Sequence, residues 1–258
     1  MDIDRVLEAA VSDFFWAPDD VSVVERSEVT YAYSDRPGAN YNNVPRTRPD
    51  RADVEALVDE VVDRHEGSWS RWGVKPTCDV PELREALAGA GYEPVHELAA
   101  YAVDPREYER DMPDDVQIEE VSDVEDLRRL YEIWDAAFGG APDLSDEELA
   151  EEVETCTGEG RRVARFLVYR DGEPAGTGGL TIFDDLEFGM IWGGAVREEH
   201  RGNGCYTALL QARADLAASR ELRRIGLYAR RETSAPIVDA HGFDRHGPVT
   251  HYYLDLRE

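Results

Sequence analysis

Phe188-Gly-Met-Ile-Trp-Gly-Gly-Ala-Val196-Arg-Glu-Glu-His-Arg201-Gly-Asn-Gly204-Cys-Tyr-Thr-Ala-Leu-Leu210 decides how the rest of this 258-residue chain is read. It is apolar as far as Val196 and turns basic and glycine-rich at Arg201, Gly202 and Gly204. It then carries Ala208, Leu209, Ala212, Leu216 and Ala217 at helical spacing. The pattern predicts a buried strand, a short loop and a helix from about Asn203 to Ser219. A glycine loop entering a helix presents backbone N–H groups without intrahelical partners. With the positive end of the helix dipole, these favour an anion such as a pyrophosphate. Glycine is required where a side chain would hold the anion away from the backbone. The stretch lacks the Gly-Lys-Ser/Thr of a P-loop and the Gly-x-Gly-x-x-Gly of a dinucleotide fold.

Val196 followed by Arg201-Gly-x-Gly204 at the start of a helix resembles the acyl-CoA loop of the GCN5-related N-acetyltransferases. Downstream, Arg223-Arg-Ile-Gly-Leu-Tyr-Ala229 is similar to that family's next strand. Thr233-Ser-Ala-Pro-Ile-Val-Asp-Ala-His-Gly242-Phe243 is similar to its next helix with the terminal Gly-Phe. The resemblance covers roughly residues 115 to 258. It implies an α/β (α+β) fold, with a mixed, mostly antiparallel central sheet flanked by helices. It also implies acetyl-CoA as acyl-donor cosubstrate and a small-molecule or peptide amine as acceptor.

Composition sets outer bounds. The chain has 56 acidic and 28 basic residues, a formal charge of −28, and Lys75 is its only lysine. A broadly acidic surface suits a salt-accumulating cytoplasm, because at about 1 M salt the Debye length is only about 3 Å and carboxylate repulsion is screened. It argues against nucleic-acid binding, which calls for a basic face. No apolar run is long enough for a membrane span, and the start of the sequence lacks a signal-peptide pattern. Cys78, Cys156 and Cys205 are far apart and form no Cys-x-x-Cys pair, as expected of free thiols in a cytoplasmic protein. No His/Cys cluster has zinc spacing, and oligomeric state is not legible.

Along the chain, helices are expected over Asp4–Trp16, Asp53–His65 and Pro81–Ala90, and strands over Val21–Tyr33, Trp69–Val74 and Leu98–Val103. Arg36 to Pro45 reads as a turn-rich loop. Ser122-Asp-Val-Glu125 and Ser145-Asp-Glu-Glu148 read as capping boxes of two successive helices, the first ending at Gly139-Gly140. Phe166–Tyr169, Ala175–Phe183 and Leu186–Val196 form an antiparallel meander, with Ile225–Ala229 a parallel neighbour of the last strand. One segment recurs. Gly91-Tyr92 precedes Tyr101-Ala-Val-Asp104 as Gly242-Phe243 precedes Tyr252-Tyr-Leu-Asp255, at a constant offset of 151 residues. This suggests a duplicated chain: a degenerate acetyltransferase-like half at 1–112 without the glycine loop, and a donor-binding domain at 113–258. The boundary falls in the charged, proline-containing run from Asp104 to Val116.

By the resemblance, backbone groups of Gly202, Asn203, Gly204, Cys205, Tyr206 and Thr207 take the pyrophosphate, with charge from Arg201 or Arg197. Ala195 and Val196 bind the pantetheine, and Val196 N–H faces the thioester oxygen as an oxyanion-type donor. Gly193-Gly194 would let the strand bulge. Three departures stand out: Tyr206 where the family has a small residue, Arg231 where it usually has Asn, and Val238 where a tyrosine often protonates the departing thiolate. Tyr228 is the candidate acid in its place, with Tyr206 and His241 as alternatives. Glu187 is the candidate general base. A covalent role for Cys205 has no histidine partner in the sequence to support it. The second reading of the chain is a non-catalytic acyl-CoA-binding module.

Overall fold

The computed structural model describes every residue except Met1, Pro37, Gly140, Glu159 and Glu258. Pro37 of the turn-rich loop and the helix-ending Gly140 therefore lie outside the described residues. In chain order the elements are α1 (Ile3–Ser12), β1 (Ser22–Glu25), β2 (Val29–Tyr33), β3 (Asn43–Thr47), α2 (Val54–Arg64), β4 (Trp69–Val74), α3 (Pro81–Gly89) and β5 (Glu93–Val103). There follow β6 (Val116–Glu120), α4 (Val124–Phe138), α5 (Asp146–Thr157), β7 (Val163–Arg170), β8 (Glu173–Phe183), β9 (Phe188–Val196), α6 (Cys205–Ser219), β10 (Arg224–Arg230), α7 (Ala235–Ala240) and β11 (Asp244–Asp255). The fold is mixed α/β with mostly antiparallel sheet flanked by helices.

The chain divides into two compact units, one of Met1–Ala102 with Tyr228–Glu258 and one of Val103–Leu227. These differ from the sequence halves 1–112 and 113–258, because the end of the chain packs with its beginning. In the first unit the strand order is β1-β2-β3-β4-β11-β5. All neighbours are antiparallel except β3 and β4. β11, the last strand, thus lies between two strands of the N-terminal sequence. Helices α2 and α3 cover this sheet through Leu57, Val58, Val61, Leu83 and Leu87, packed on Val29, Tyr31, Val44 and Trp72.

The offset of 151 residues is visible in hydrogen bonds. Gly91 and Gly242 both have left-handed φ, +90° and +77°. Gly91 N donates to Ala88 O and Tyr92 N to Leu87 O; at the second site Gly242 N donates to Asp239 O and Phe243 N to Val238 O. This is the same glycine-terminated helix end twice. The β5–β11 register obeys the same offset. Asp244 pairs with Ala102 as Tyr253 pairs with Glu93, Arg245 with Tyr101 as Tyr252 with Pro94, and Val249–Leu98 maps onto itself.

In the second unit the order is β10-β9-β8-β7-β6, antiparallel except for β10 and β9. Leu127, Leu130 and Ile133 of α4 and Leu149 of α5 pack on Leu167 and Ala195. Adjacent β8 residues show both faces: Gly178 meets Arg213 of α6, whereas Gly179 meets the Trp192 ring. The side-chain period of two thus separates an α4 face from an α6 face.

Some local expectations change. Val21–Tyr33 is a hairpin of two strands, β1 and β2. Strand β3 (Asn43–Thr47) begins inside the loop expected over Arg36 to Pro45 and runs past its end. Pro45, which has no N–H to donate, sits where its parallel pairing with β4 ends at Val44 and its register with β2 shifts. β6 occupies part of the expected boundary. Ser145 forms the full capping box, while α4 is capped one residue later than expected, by Asp123.

In the first unit, His65 at the end of α2 is fully buried. Its Nε2 lies 2.9 Å from Ala32 O and its Nδ1 2.6 Å from Ser70 Oγ, which is in turn 2.6 Å from Tyr92 OH. Donation to the carbonyl fixes the Nε2–H tautomer and leaves Nδ1 to accept. Burial pushes this imidazole down to about 4 from its usual 6.5. Between those values the unfolded chain binds a proton that the folded chain refuses. Stability from His65 is therefore present above about pH 6.5 and lost as pH falls toward 4, by on the order of 3 kcal/mol. Urea unfolding from pH 4 to 7 should show a steeper pH slope for the wild type than for His65→Gln.

Candidate functional site

The site grows out of β9. Thr177 pairs with Ala195, and the next pair is Gly179 with Trp192, so Gly193 and Gly194 stand opposite Gly178 alone. This is a β-bulge, and Gly193 takes the left-handed φ of +61°. Side chains press on it from both faces. A Cβ on Gly193 would fall inside the Trp134 indole of α4, and one on Gly194 would come 2.8 Å from the Tyr206 ring of α6. Trp134 also meets Trp192 and Phe138 edge-on, at 6.2 and 5.0 Å between ring centroids.

Beyond the bulge the ladder sets which backbone groups are available. Arg197 N donates to Ala175 O at 2.8 Å. By the alternation of antiparallel pairs, Ala195 also turns its peptide groups toward β8 and Val196 turns its own away. Ala195 O accordingly lies against Gly176. On the other edge of β9 the parallel pairs join Phe188–Met190 to Arg224–Gly226 and end there. Val196 thus faces the side where pairing has stopped, and its carbonyl accepts from Arg201 Nε at 3.2 Å.

The loop takes a short 3-10 turn over Glu198–His200 before α6. Gly202 and Gly204 have φ of +76° and +81°. Gly202 opens onto free space, whereas a Cβ on Gly204 would come 2.6 Å from Pro113. Asn203 Nδ2 holds Arg201 O at 3.1 Å. The first α6 amide bonded within the helix is Ala208, to Gly204 O at 2.9 Å, so the amides of Gly204, Cys205 and Tyr206 stand ahead of the helical ladder. The Tyr206 ring turns toward the sheet onto Gly194, so the bulky residue after the glycines leaves the loop mouth clear. The Cys205 thiol is buried, and burial pushes it up, which disfavours a nucleophilic role. Arg197 Nε is buried beside the loop without a hydrogen-bond partner.

The structure gathers Val196, Arg201, Gly202, Asn203, Gly204, Cys205, Tyr206 and Thr207 at one end of β9. Glu187 lies at the other end, about 30 Å away at roughly 3.3 Å per strand residue. It has a left-handed backbone, accepts from Arg223 N and Arg224 N, and pairs its carboxylate with Arg223 Nε at 2.8 Å. That geometry makes it an anchor for β10 and does not bring it to the loop. Tyr228 belongs to the other compact unit. Its hydroxyl is buried without a hydrogen-bond partner, and burial, with Glu8, Asp4 and Cys78 nearby, pushes the phenol well above its ordinary range. Val238 is a fully buried core residue. Sequence reading passed over Trp134 and Arg213. The consecutive glycines Gly178-Gly179 and Gly193-Gly194, each kept free for a large neighbour, are the signal that marks their place.

Among the described residues no group of three or more His, Cys, Asp or Glu is placed to hold a metal ion, and no helix is long and apolar enough to cross a membrane.

The fold is shared with solved acetyltransferases. A GCN5-related N-acetyltransferase from Kribbella flavida superposes with a TM-score of 0.72 at 15% identity, covering 97% of this chain and 95% of that one. One from Sphaerobacter thermophilus gives 0.64 at 18% identity, covering 92% and 76%. A tandem GNAT protein from the clavulanic acid biosynthesis pathway gives 0.61 at 15% identity, covering 97% and 87%. Residues 127–243 match the family model of the acetyltransferase (GNAT) family. That match identifies an acyltransferase enzyme and, with it, acetyl-CoA as the acyl donor. No curated protein matches the chain.

The bulge makes a direct prediction. Gly193→Ala combines positive φ with collision against Trp134 and should cost about 2 kcal/mol or more. In a Trp134→Ala background the steric part should disappear and the backbone part remain, as a double-mutant cycle of urea unfolding would show.

Proposed function

We propose that this chain is an N-acetyltransferase that moves an acetyl or short acyl group from acyl-CoA to a primary amine by direct attack. The observation that carries the reading is the end of β9: a bulged strand whose Val196 peptide faces an unpaired edge, followed at once by a glycine loop opening a helix. The amides of Gly202 to Tyr206 and the side chain of Arg201 suit the pyrophosphate, with Thr207 completing the first turn. Val196 N–H is better turned than Ala195 N–H to meet the donor and to stabilise negative charge on its carbonyl oxygen. In the reaction the amine nitrogen bonds to the carbonyl carbon, the C–S bond breaks, and the electron pair leaves with the CoA thiolate. The ammonium proton goes to a base or to solvent. The buried hydroxyl weakens Tyr228 as proton donor to the thiolate, and the ion pair and position of Glu187 weaken it as the base.

The repeated helix end and the self-matching β5–β11 register support a tandem origin, with a first half that has no Arg-Gly-x-Gly loop. The surface supports a chain adapted to high salt in a cytoplasm. Its single lysine is 3% exposed, so the basic side chains that meet water are arginines and histidines.

Calorimetry in about molar potassium chloride should show micromolar binding of acetyl-CoA to the wild type. Gly202→Glu, whose Cβ meets open space, should abolish it in a folded protein. Amine-dependent release of CoA should follow in the wild type alone. Binding without release across a broad amine panel would leave an acyl-CoA-binding module; no binding by the folded wild type would refute the reading.

A further inference from the structure

Among the described residues of the second unit, Arg213 is a fully buried charge without a counter-ion. It lies two turns into α6 from Tyr206 and is 0% exposed. Its Nε donates to Leu209 O at 2.8 Å and its Nη1 to Trp192 O at 3.5 Å, while Nη2 is buried with no hydrogen-bond partner. Among the described residues no carboxylate lies within ion-pair distance of it. Its other neighbours are aromatic: the guanidinium sits 6.0 Å from the Tyr206 ring centroid, with Tyr108 also close. Arg165 in the same unit shows the usual solution for a buried guanidinium, paired with Glu152 at 2.9 Å and with Tyr131 OH at 3.1 Å. A guanidinium stays charged in proteins, and burying one without an anion is costly. A long apolar side chain would fill the same space without that cost.

Its position gives the cost a purpose. Nη1 lies 2.9 Å from where a Cβ of Gly178 would stand, and Gly178 is the single β8 residue opposite the bulge. Trp192, whose carbonyl Nη1 reaches, is the residue immediately before Gly193. The guanidinium therefore braces the bulge from the α6 face, opposite the Trp134 indole on the α4 face.

We propose that Arg213 is a positioning residue for acyl transfer, an inference that rests on the function proposed above. It fixes the bulge that turns Val196 N–H toward the donor carbonyl. The group acts through the β9 backbone and exchanges no proton.

Three variants test this, measured for thermal midpoint, acetyl-CoA affinity and turnover with the best amine found. Arg213→Met should be folded, with a midpoint at or above that of the wild type because the buried charge is gone. Its Kd for acetyl-CoA should stay within threefold while kcat falls at least thirtyfold. Arg213→Lys, which keeps a charge without the planar fork, should recover part of that loss. Gly178→Ala, which displaces the guanidinium without removing it, should lower kcat at unchanged Kd. A folded Arg213→Met with kcat within threefold of the wild type overturns the proposal, as does an unchanged kcat in Gly178→Ala. Parallel losses of midpoint, affinity and kcat would mark Arg213 as only structural. A wild type that binds acetyl-CoA but turns over no amine refutes the proposed function, and this inference with it; an active wild type with a normal Arg213→Met refutes this inference alone.

Discussion

Strand β11 closes the ladder of β4 on one side and of β5 on the other, and the compact unit formed by both ends of the sequence exists because it does. Without it, two strands of the N-terminal sequence would each present an open edge, a known route to aggregation. The register is not arbitrary. Residues related by the 151-residue offset exchange places across the β5–β11 ladder, so each strand meets the other as it would meet a copy of itself. A two-fold interface of this kind is what identical strands form, with residue i meeting j as j meets i. One consequence is cooperativity between distant segments. The first hundred residues cannot complete their sheet until the last fifteen have been made.

The second unit concentrates its constraints on two glycines. Gly193 and Gly194 have no side chains, and the space is filled by neighbours: an indole from α4 and a phenol from α6, while a guanidinium of α6 fills the space at Gly178 opposite them. Helices α4 and α6, on opposite faces of the sheet, are thereby tied to one stretch of β9. The same contacts explain why Tyr206 is tolerated directly after the glycine loop. Its ring is absorbed beneath β9, where Gly194 leaves room, and the backbone amides at the start of α6 stay accessible.

The legible parts of this chain were those governed by local rules. Ser145 and Glu148 form their box because both partners lie within one turn, and the apolar runs Phe166–Tyr169, Ala175–Phe183 and Leu186–Val196 each mark one strand of the meander. β3 was hidden by Pro45 and by two asparagines that mimic a loop. Helix α4 is capped by Asp123 because Ser122 and Asp126 bond each other instead, a choice between adjacent polar residues that spacing cannot make. Glu187 looked poised for chemistry because it sits on the strand that carries the loop. Direction along a strand is invisible to motif reading, and the carboxylate emerges at the far end. Gly193-Gly194 was legible as a bulge, but Arg213 looked like any helical arginine, since only tertiary packing decides which arginine is denied water.

Lys75 carries a different lesson. Its ammonium is held by Pro45 O, and burial pushes its pKa down. With no second lysine in the chain, the folded surface offers no lysyl amine to an electrophile. Acyl thioesters slowly acylate exposed lysines of many proteins, and an enzyme that concentrates such a donor is the nearest target. This one has nothing of that kind to modify. An acetyl-lysine found in this chain would report a state in which Lys75 is exposed, before folding or on local opening, which makes that single residue a marker of how often its enclosure is undone.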